Sequence, residues 1–516
     1  MTDILWFFVF AQMMMGAFDT LYHHEGTERL AWRPSQRLEL TLHGIRNLAY
    51  AVMFMALGWF EPRGGWAIAL VLLLLGELFI TLWDFVEEDR TRLLPASERV
   101  THTLLTLNYG VILAMLIPWL IGLAQQPSAL ASSYHGLMSW FCILASIGVV
   151  ISGLRDLAAA KRTERLTERE PSELAAILPA RQSVLVTGGT GFIGSRLVQG
   201  LLAARHEVTV LTRNKSSVMP LAAHGPLRNI QSLEEIADNA HFDAVVNLAG
   251  EPISDTPWTK AKRVKIVQSR LRTTYDIIRL IKRLEHKPEV LINGSAIGWY
   301  GLRGDEILDE QAQGTNCFSR RVCRSWERAA APAESLGVRT VYLRTGLVLD
   351  RSGGMLAKLL TPFEFGLGGK FGHGKQWMSW IHRDDLVRLI CHTIARREIS
   401  GPLNGTAPEP VTNAEFTAAL GKALKRPAIL PVPAWPLRKG LGAFAEELLL
   451  SGQLVIPEVA RRSGFIFEYP SIDLAFAQIV GSPPNSTAQD RAQAVLTAER
   501  RALAPQPALH GVSRRR

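Results

Sequence analysis

Cysteine is scarce in this sequence of 516 residues: Cys142, Cys317, Cys323 and Cys391 are the four, and no two form a CxxC pair. That pattern excludes a disulfide framework and a cysteine-built zinc site, and it fits a reducing compartment. A basic leader is missing too. The first apolar run carries only Asp3 at its start and no small-residue cleavage site behind it, so it reads as a helix that stays attached and not as a secretory signal. There is also no basic face interleaved with aromatics. The net charge of +10 comes from arginines beside apolar segments and in the terminal Ser513-Arg514-Arg515-Arg516, which argues against nucleic acid as a partner.

Apolar sequence is abundant, and it is concentrated in the first third. Five stretches, residues 4–22, 42–60, 66–86, 103–124 and 134–154, each approach the ~20 helical residues that cross ~30 Å of hydrocarbon. Arg29, Arg33 and Arg37 follow the first stretch, Arg90, Arg92 and Arg99 the third, and Arg155, Lys161, Arg162 and Arg165 the last. The other connections, Glu61-Pro62-Arg63-Gly64 and residues 125–133, are poor in basic residues. The positive-inside rule therefore expects an outside N-terminus and an inside C-terminus: a multi-pass protein of an inner or plasma membrane, partnered by the lipid bilayer, with its soluble part in the cytoplasm.

This topology gathers Asp19, His23, His24, Glu25, Glu39, His43, Asp84, Glu87, Glu88 and His102 near the cytoplasmic helix ends, with Glu77 deeper. Histidine and carboxylate are ligand types for zinc, iron or manganese. Against a metal stands the lack of any ExxH motif, and interfacial acids and histidines are accounted for by solvation or by pairing with Arg46 and the loop arginines. No metal is assigned on this reading. A membrane metal or redox module coupled to the soluble part stays as an alternative.

The expected organisation is a membrane domain over 1–154, a charged linker over 155–181, a nucleotide-binding domain over 182–425, a small C-terminal substrate-side domain over 426–480, and a flexible tail over 481–516 rich in Pro, Ser, Ala, Gln and Arg. The β-branched run 183–187 leads into Gly188-Gly189-Thr190-Gly191-Phe192-Ile193-Gly194 and then a helical pattern over 195–204. Strand, glycine turn and helix in this order suit a dinucleotide. The chain must turn sharply, its backbone must approach a pyrophosphate, and the helix N-terminus must face the phosphates. Gly188, Gly191, Phe192, Ile193 and Gly194 are the candidate residues. A second strand over 207–212 ends in Thr212-Arg213-Asn214-Lys215, where an NAD-binding protein usually has an acid. A cation suits a 2′-phosphate, so Arg213 favours NADP(H); NAD(H) stays open, with Arg213 stacking on adenine or facing water. Further strands at 244–248, 290–293 and 340–343 alternate with helices, the pattern of a Rossmann fold with a doubly wound parallel sheet.

These residues resemble an extended short-chain dehydrogenase/reductase. Asn247-Leu248-Ala249-Gly250 is similar to that family's turn beside the adenosine and nicotinamide, which implies Leu248, Ala249 and Gly250 as cofactor neighbours. The strings Asn247-Leu248-Ala249-Gly250-Glu251-Pro252-Ile253, Gly294-Ser295-Ala296-Ile297-Gly298-Trp299-Tyr300-Gly301, Leu343-Arg344-Thr345-Gly346 and Trp380-Ile381-His382-Arg383-Asp384-Asp385 are similar to an atypical sub-branch known as epimerase family proteins, which carries a C-terminal domain of unknown function. The resemblance spans residues 182–480 and leaves out the membrane third. In the wider family a Tyr-x-x-x-Lys pair exchanges the proton of the reacting hydroxyl. Here Ser319 and Cys323 stand at those places, and neither does that chemistry. Ser295 and Tyr300 become the candidate catalytic residues, with Arg320 or Arg321 as cationic partners. The alternative is that Ser295 ties a turn and Tyr300 packs. His382 and Asp385 read as loop-fixing residues, and the glycine-rich run at 366–375 as a mobile loop over the pocket of a small-molecule substrate.

The resulting expectation is a membrane-anchored NAD(P)-dependent oxidoreductase or epimerase-like enzyme of unknown substrate. The rival is a nucleotide-sensing or scaffold protein without turnover.

Overall fold

The computed structural model describes residues 2–92, 94–179 and 181–483, and the chain separates between Thr167 and Glu168 into two compact units. Most of the expected tail, residues 484–516, lies outside the described residues.

The first unit is a helical bundle. Its long helices are α1 (Asp3–Phe18), α2 (Arg37–Trp59), α3 (Gly65–Thr91), α4 (Ala96–Ala124) and α5 (Leu137–Thr163), and α1 runs on into a π-helical segment, Asp19–Glu28. Among the described residues, five helical spans are long and apolar enough to cross a membrane, the first of them Asp3–Trp32. Helices suit that role because every backbone group finds its partner within its own segment. Leu57, Leu74, Leu116, Leu120 and Cys142 are buried inside, while Phe7, Leu72, Phe79, Leu107 and Leu144 are exposed on the outside. Small residues bring α2 and α5 together: a Cβ built on Gly153 would lie 2.9 Å from the Gly44 carbonyl oxygen. Ser139 Oγ donates to Gly58 O at 2.6 Å and Ser146 Oγ to Ala51 O at 3.1 Å across the same seam. Short antiparallel strands Phe60–Arg63 and Ala129–Ser132 join the helix ends remote from the start of α2.

The second unit is built on a parallel sheet of seven strands: β1 (Ser183–Thr187), β2 (Glu207–Leu211), β3 (Leu227–Ile230), β4 (Ala244–Asn247), β5 (Val290–Ala296), β6 (Arg339–Thr345) and β7 (Gly401–Gly405). Their spatial order is β7-β6-β5-β4-β1-β2-β3, with every neighbouring pair parallel. Alternation along β1 feeds two apolar layers. Val184 and Val186 join Leu197, Leu201, Leu386 and Ile390 on one face, and Leu185 joins Val245, Leu291, Ile277 and Ile281 on the other. The helices that supply these layers include α6 (Phe192–Ala203), α7 (Lys260–Arg283), α8 (Phe318–Ala330) and α9 (Arg383–Ala395). Residues near the C-terminus share this core, since Ala460, Phe465 and Phe467 are buried in the same layer as Val184. Strand Gln453–Val455 also pairs in parallel with Gly304–Leu308.

Candidate functional site

The strand order reverses between β1 and β4, and the carboxyl edge at such a switch point is where doubly wound sheets open a crevice. The chain leaves β1 at Thr187, turns at Gly188 with φ of +72°, and enters α6 at Phe192. A Cβ on Gly188 would lie 2.8 Å from Ala249 N and Leu248 C, and one on Gly194 would lie 2.2 Å from Gly188 O. The turn and the segment after β4 therefore touch backbone to backbone, which brings Gly188, Gly191, Gly194, Leu248 and Ala249 together. Gly191 caps α6 without a side-chain hydrogen bond, so the first-turn N–H groups face outward with the positive end of the helix dipole. Gly250 packs against Arg270, whose guanidinium carbon would be 3.0 Å from an added Cβ. Phe192 and Ile193 use their side chains for packing: Phe192 lies against Gly353 with Arg383 over its ring, and Ile193 joins the core. Below the crevice a buried polar chain ties three neighbouring strands, Thr187 Oγ1 donating to Asn247 Oδ1 at 2.7 Å and Asn247 Nδ2 to Asn293 Oδ1 at 2.7 Å.

Arg213 follows the end of β2 and is exposed. Its guanidinium forms no hydrogen bond or ion pair among the described residues, whereas its carbonyl accepts from Gln231.

Ser295 and Tyr300 belong to one buried network. Ser295 Oγ donates to Glu327 Oε1 at 2.7 Å, and Arg344 holds both oxygens of Glu327 at 3.0 and 3.2 Å. Arg344 also donates to the Tyr300 hydroxyl at 3.2 Å and stacks over the Trp299 ring at 4.2 Å. The Tyr300 hydroxyl in turn donates to Asn404 Oδ1 at 2.7 Å, and the residue is 0% exposed. Burial pushes the phenol up to about 12, against the pull of Arg344 and Asn404. Sequence reading missed Glu327 and Arg344 as partners of this pair. Arg344 stood in a quoted string, but its meeting with Glu327 depends on α8 packing over β5 and β6.

Ser319 Oγ and backbone N both donate to Glu447, which also takes the Phe318 N–H at the start of α8. Cys323 is buried against Ala296 O, and burial raises its thiol to about 11. Arg320 lies over the Trp299 ring at 5.7 Å, and Arg321 is exposed beside Asn316. His382 caps α9 through Asp384 N and meets Gln478, while Asp385 accepts from Glu468 N and Tyr469 N; both fix loops. The glycine-rich run is pinned and not free-standing: Leu430 N donates to Gly368 O, Val432 N to Lys370 O and Gly372 N to Val432 O. Close backbone approach explains its glycines, since a Cβ on Gly369 would lie 1.7 Å from Leu430 O.

In the helical unit, solvation is excluded for most of the polar residues near the start of α2. Asp19, His23, His24, Glu39, His43, Asp84 and Glu88 are all buried. They are joined by Glu98, one turn before His102 on α4, a spacing that was legible but unread.

A seven-stranded parallel sheet with a glycine turn at its switch point defines a doubly wound nucleotide-binding protein. The pattern of the NAD dependent epimerase/dehydratase family matches residues 184–404, and that of the domain of unknown function DUF1731 matches residues 432–479. The chain belongs to the epimerase family proteins related to SDR39U1, with an N-terminal extension of long apolar helices. It is 39% identical over 310 residues to the chloroplastic SDR39U1 homolog of Arabidopsis thaliana, covering 58% of this chain and 87% of the relative. It is 38% identical over 304 residues to an epimerase family protein of Mycobacterium tuberculosis, covering 59% and 99%. Among solved structures it is similar to human SDR39U1 isoform 2 with NADPH, at a TM-score of 0.53 and 34% identity over 58% of this chain and 99% of that one.

Proposed function

We propose that this chain is a membrane-anchored oxidoreductase or epimerase-like enzyme that uses NADP(H) and acts on a small molecule. The observation that carries the reading is the pairing of an open α6 N-terminus behind the Gly188–Gly194 turn with the exposed cation of Arg213, unpaired among the described residues, at the end of β2. The backbone of Gly188, Gly191, Phe192, Ile193 and Gly194 would hold the pyrophosphate, Arg213 the 2′-phosphate, and Leu248, Ala249 and Gly250 the adenosine and nicotinamide side. The human relative solved with NADPH supports this choice. When bound, the nicotinamide supplies a hydride donor or acceptor.

Ser295 is the candidate for contact with substrate. Its proton is given to Glu327, so it offers a lone pair and suits a substrate hydroxyl better than a carbonyl. Tyr300, wholly buried and bonded to Arg344 and Asn404, is proposed as a positioning residue that holds Arg344 over Glu327. A second reading, a nucleotide sensor without turnover, is favoured by Ser319 and Cys323 in the places of the usual tyrosine and lysine and by the sequestered Tyr300 hydroxyl.

The helices are proposed to anchor the protein in an inner or plasma membrane with the N-terminus outside and the soluble unit in the cytoplasm. The deciding experiment titrates the full chain in detergent with NADPH and NADH. Tighter NADPH binding that Arg213→Glu reverses is the expected result. Failure of both nucleotides to bind removes the cofactor and the enzyme together, and binding without turnover over a broad carbonyl and sugar panel leaves the sensor.

A further inference from the structure

Five buried carboxylates meet at one end of the helical bundle: Asp19 on the π-helical segment, Glu39 on α2, Asp84 and Glu88 on α3, and Glu98 on α4. Two permanent cations face them. Arg46 pairs with Asp84, and Arg92 with Glu39, Glu88 and Glu98. With all five ionised, three negative charges remain beyond these arginines, and protonated histidines or bound cations are the groups that can offset them. The same space holds four histidines, His23, His24, His43 and His102, as its remaining cation-binding groups.

The contacts among these groups are those of ligands without a centre. His102 Nε2 lies 3.2 Å from Asp19 Oδ2, which leaves Nδ1 facing Glu88 Oε2 at 3.3 Å. With a single ring proton on the Asp19 side, a nitrogen lone pair and a carboxylate oxygen confront each other, a contact that becomes favourable when a second ring proton or a metal cation stands between them. Glu88 Oε2, His24 Nε2 and Asp84 Oδ1 are buried without a well-aligned hydrogen-bond partner, on residues at least nine-tenths buried, whereas His43 Nε2 already meets Asp84 Oδ2 at 2.8 Å. His24 Nε2 lies 3.3 Å from Asp19 Oδ2 and 3.8 Å from Glu98 Oε1, and His43 Nε2 lies 4.0 Å from Glu88 Oε1.

Two ligand sets follow from these positions. His24, Glu88, Glu98 and His102 each offer an atom within 4.8 Å of the others, and so do Glu39, His43 and Glu88. Metal–nitrogen and metal–oxygen bonds near 2.1 Å set tetrahedral ligand-to-ligand edges of about 3.4 Å, the scale of the contacts above. Glu88 belongs to both sets, and a shared carboxylate is the bridge that carboxylate-rich bundles use between paired cations. Arg92 does not compete for every lone pair, since each carboxylate has about four acceptor positions. Asp19 supports the site from outside: it faces His102 Nε2 and meets His23 Nδ1 at 2.9 Å, the carboxylate–histidine arrangement that orients metal-bound imidazoles.

The geometry points to a divalent transition-metal site built from His24, Glu88, Glu98 and His102, with a second position at Glu39 and His43 sharing Glu88. Mixed imidazole and carboxylate ligands without sulfur select iron(II), manganese(II) or zinc(II) over copper(I) or calcium. The inference is independent of nucleotide binding by the soluble unit.

The test uses the full chain in detergent, stripped with a chelator, reloaded separately with iron(II), manganese(II) or zinc(II), desalted and assayed for metal by mass spectrometry. Retention of about one or two equivalents of at least one cation is expected, along with a melting temperature that rises with its concentration. Glu88→Gln and His102→Gln should each lower retention at least about tenfold, while His135→Gln, outside the cluster, should not. Cobalt(II) loaded into the unmodified protein should give visible bands of nitrogen- and oxygen-bound metal, which keeps the test decisive if a variant misfolds. Retention below about a tenth of an equivalent for all three cations in folded wild-type protein overturns the proposal, as do Glu88→Gln and His102→Gln variants that bind as wild type.

Discussion

Arg344 illustrates how one residue can carry several jobs that its neighbours in sequence do not reveal. Its side chain is buried with Glu327, and the pair sits between Ser295 and Tyr300. Removing one partner of a buried pair leaves the other charge without compensation. Arg344→Met should therefore destabilise the soluble unit by about 3 to 5 kcal/mol, and the double variant Arg344→Met with Glu327→Leu should recover much of the loss. Thermal melting of the full chain checks this, and equal losses in single and double variants would mean the pair is not coupled. His392 sets a pH dependence. It is buried beside Ser463, and burial together with the Arg396 charge lowers its pKa to about 4. The unfolded chain then binds a proton that the folded chain refuses between about pH 6.5 and 4, so this stability is fully present above that window and is lost as the pH falls through it. The loss is about 3 kcal/mol for the shift given. His392→Gln should flatten the melting temperature across that window relative to wild type; an unchanged slope would assign it to other groups.

At the scale of elements, the strand–glycine turn–helix unit and the five apolar helices were legible because each is a local pattern. A strand run, a glycine spacing and a 20-residue apolar stretch need no distant partner to be recognised. Two strands of the seven-stranded sheet escaped. β3, Leu227–Ile230, is short and has its middle residues exposed, and β7 reads Gly-Pro-Leu-Asn-Gly, a sequence typical of turns. β7 is a strand because it lies at the sheet edge, where proline leaves only an outward ladder position empty. The candidate site divides in the same way. Gly188, Gly191 and Gly194 announced themselves, while Glu327 could not, since its role depends on α8 crossing Ser295. The glycine turn yields a direct prediction. In Gly194→Ala the new Cβ would overlap Gly188 O, displacing the first turn of α6, and NADPH affinity should fall at least about tenfold in a titration. Unchanged affinity would detach the nucleotide from this turn.

For the whole molecule, the arginine-rich connections argue for an orientation that chemical labelling can read in intact cells. A cysteine placed at Ser35, exposed between α1 and α2, should resist a membrane-impermeant thiol reagent, and one placed at Gln126, exposed after α4, should react. The reverse pattern would invert the topology. Sequence alone determined that the chain combines long apolar helices with a Rossmann fold, because burial periodicity, helix length and glycine turns are encoded in neighbouring residues. It also marked Arg213 as a cation where an acid is usual. Tertiary structure alone decided which polar residues act together. Asp19, Glu39, Glu88, Glu98 and His102 are spread over four helical segments and converge only when the bundle packs. Their burial in one low-dielectric space turns solvent-compatible side chains into charges that require a partner, and no local pattern carries that requirement.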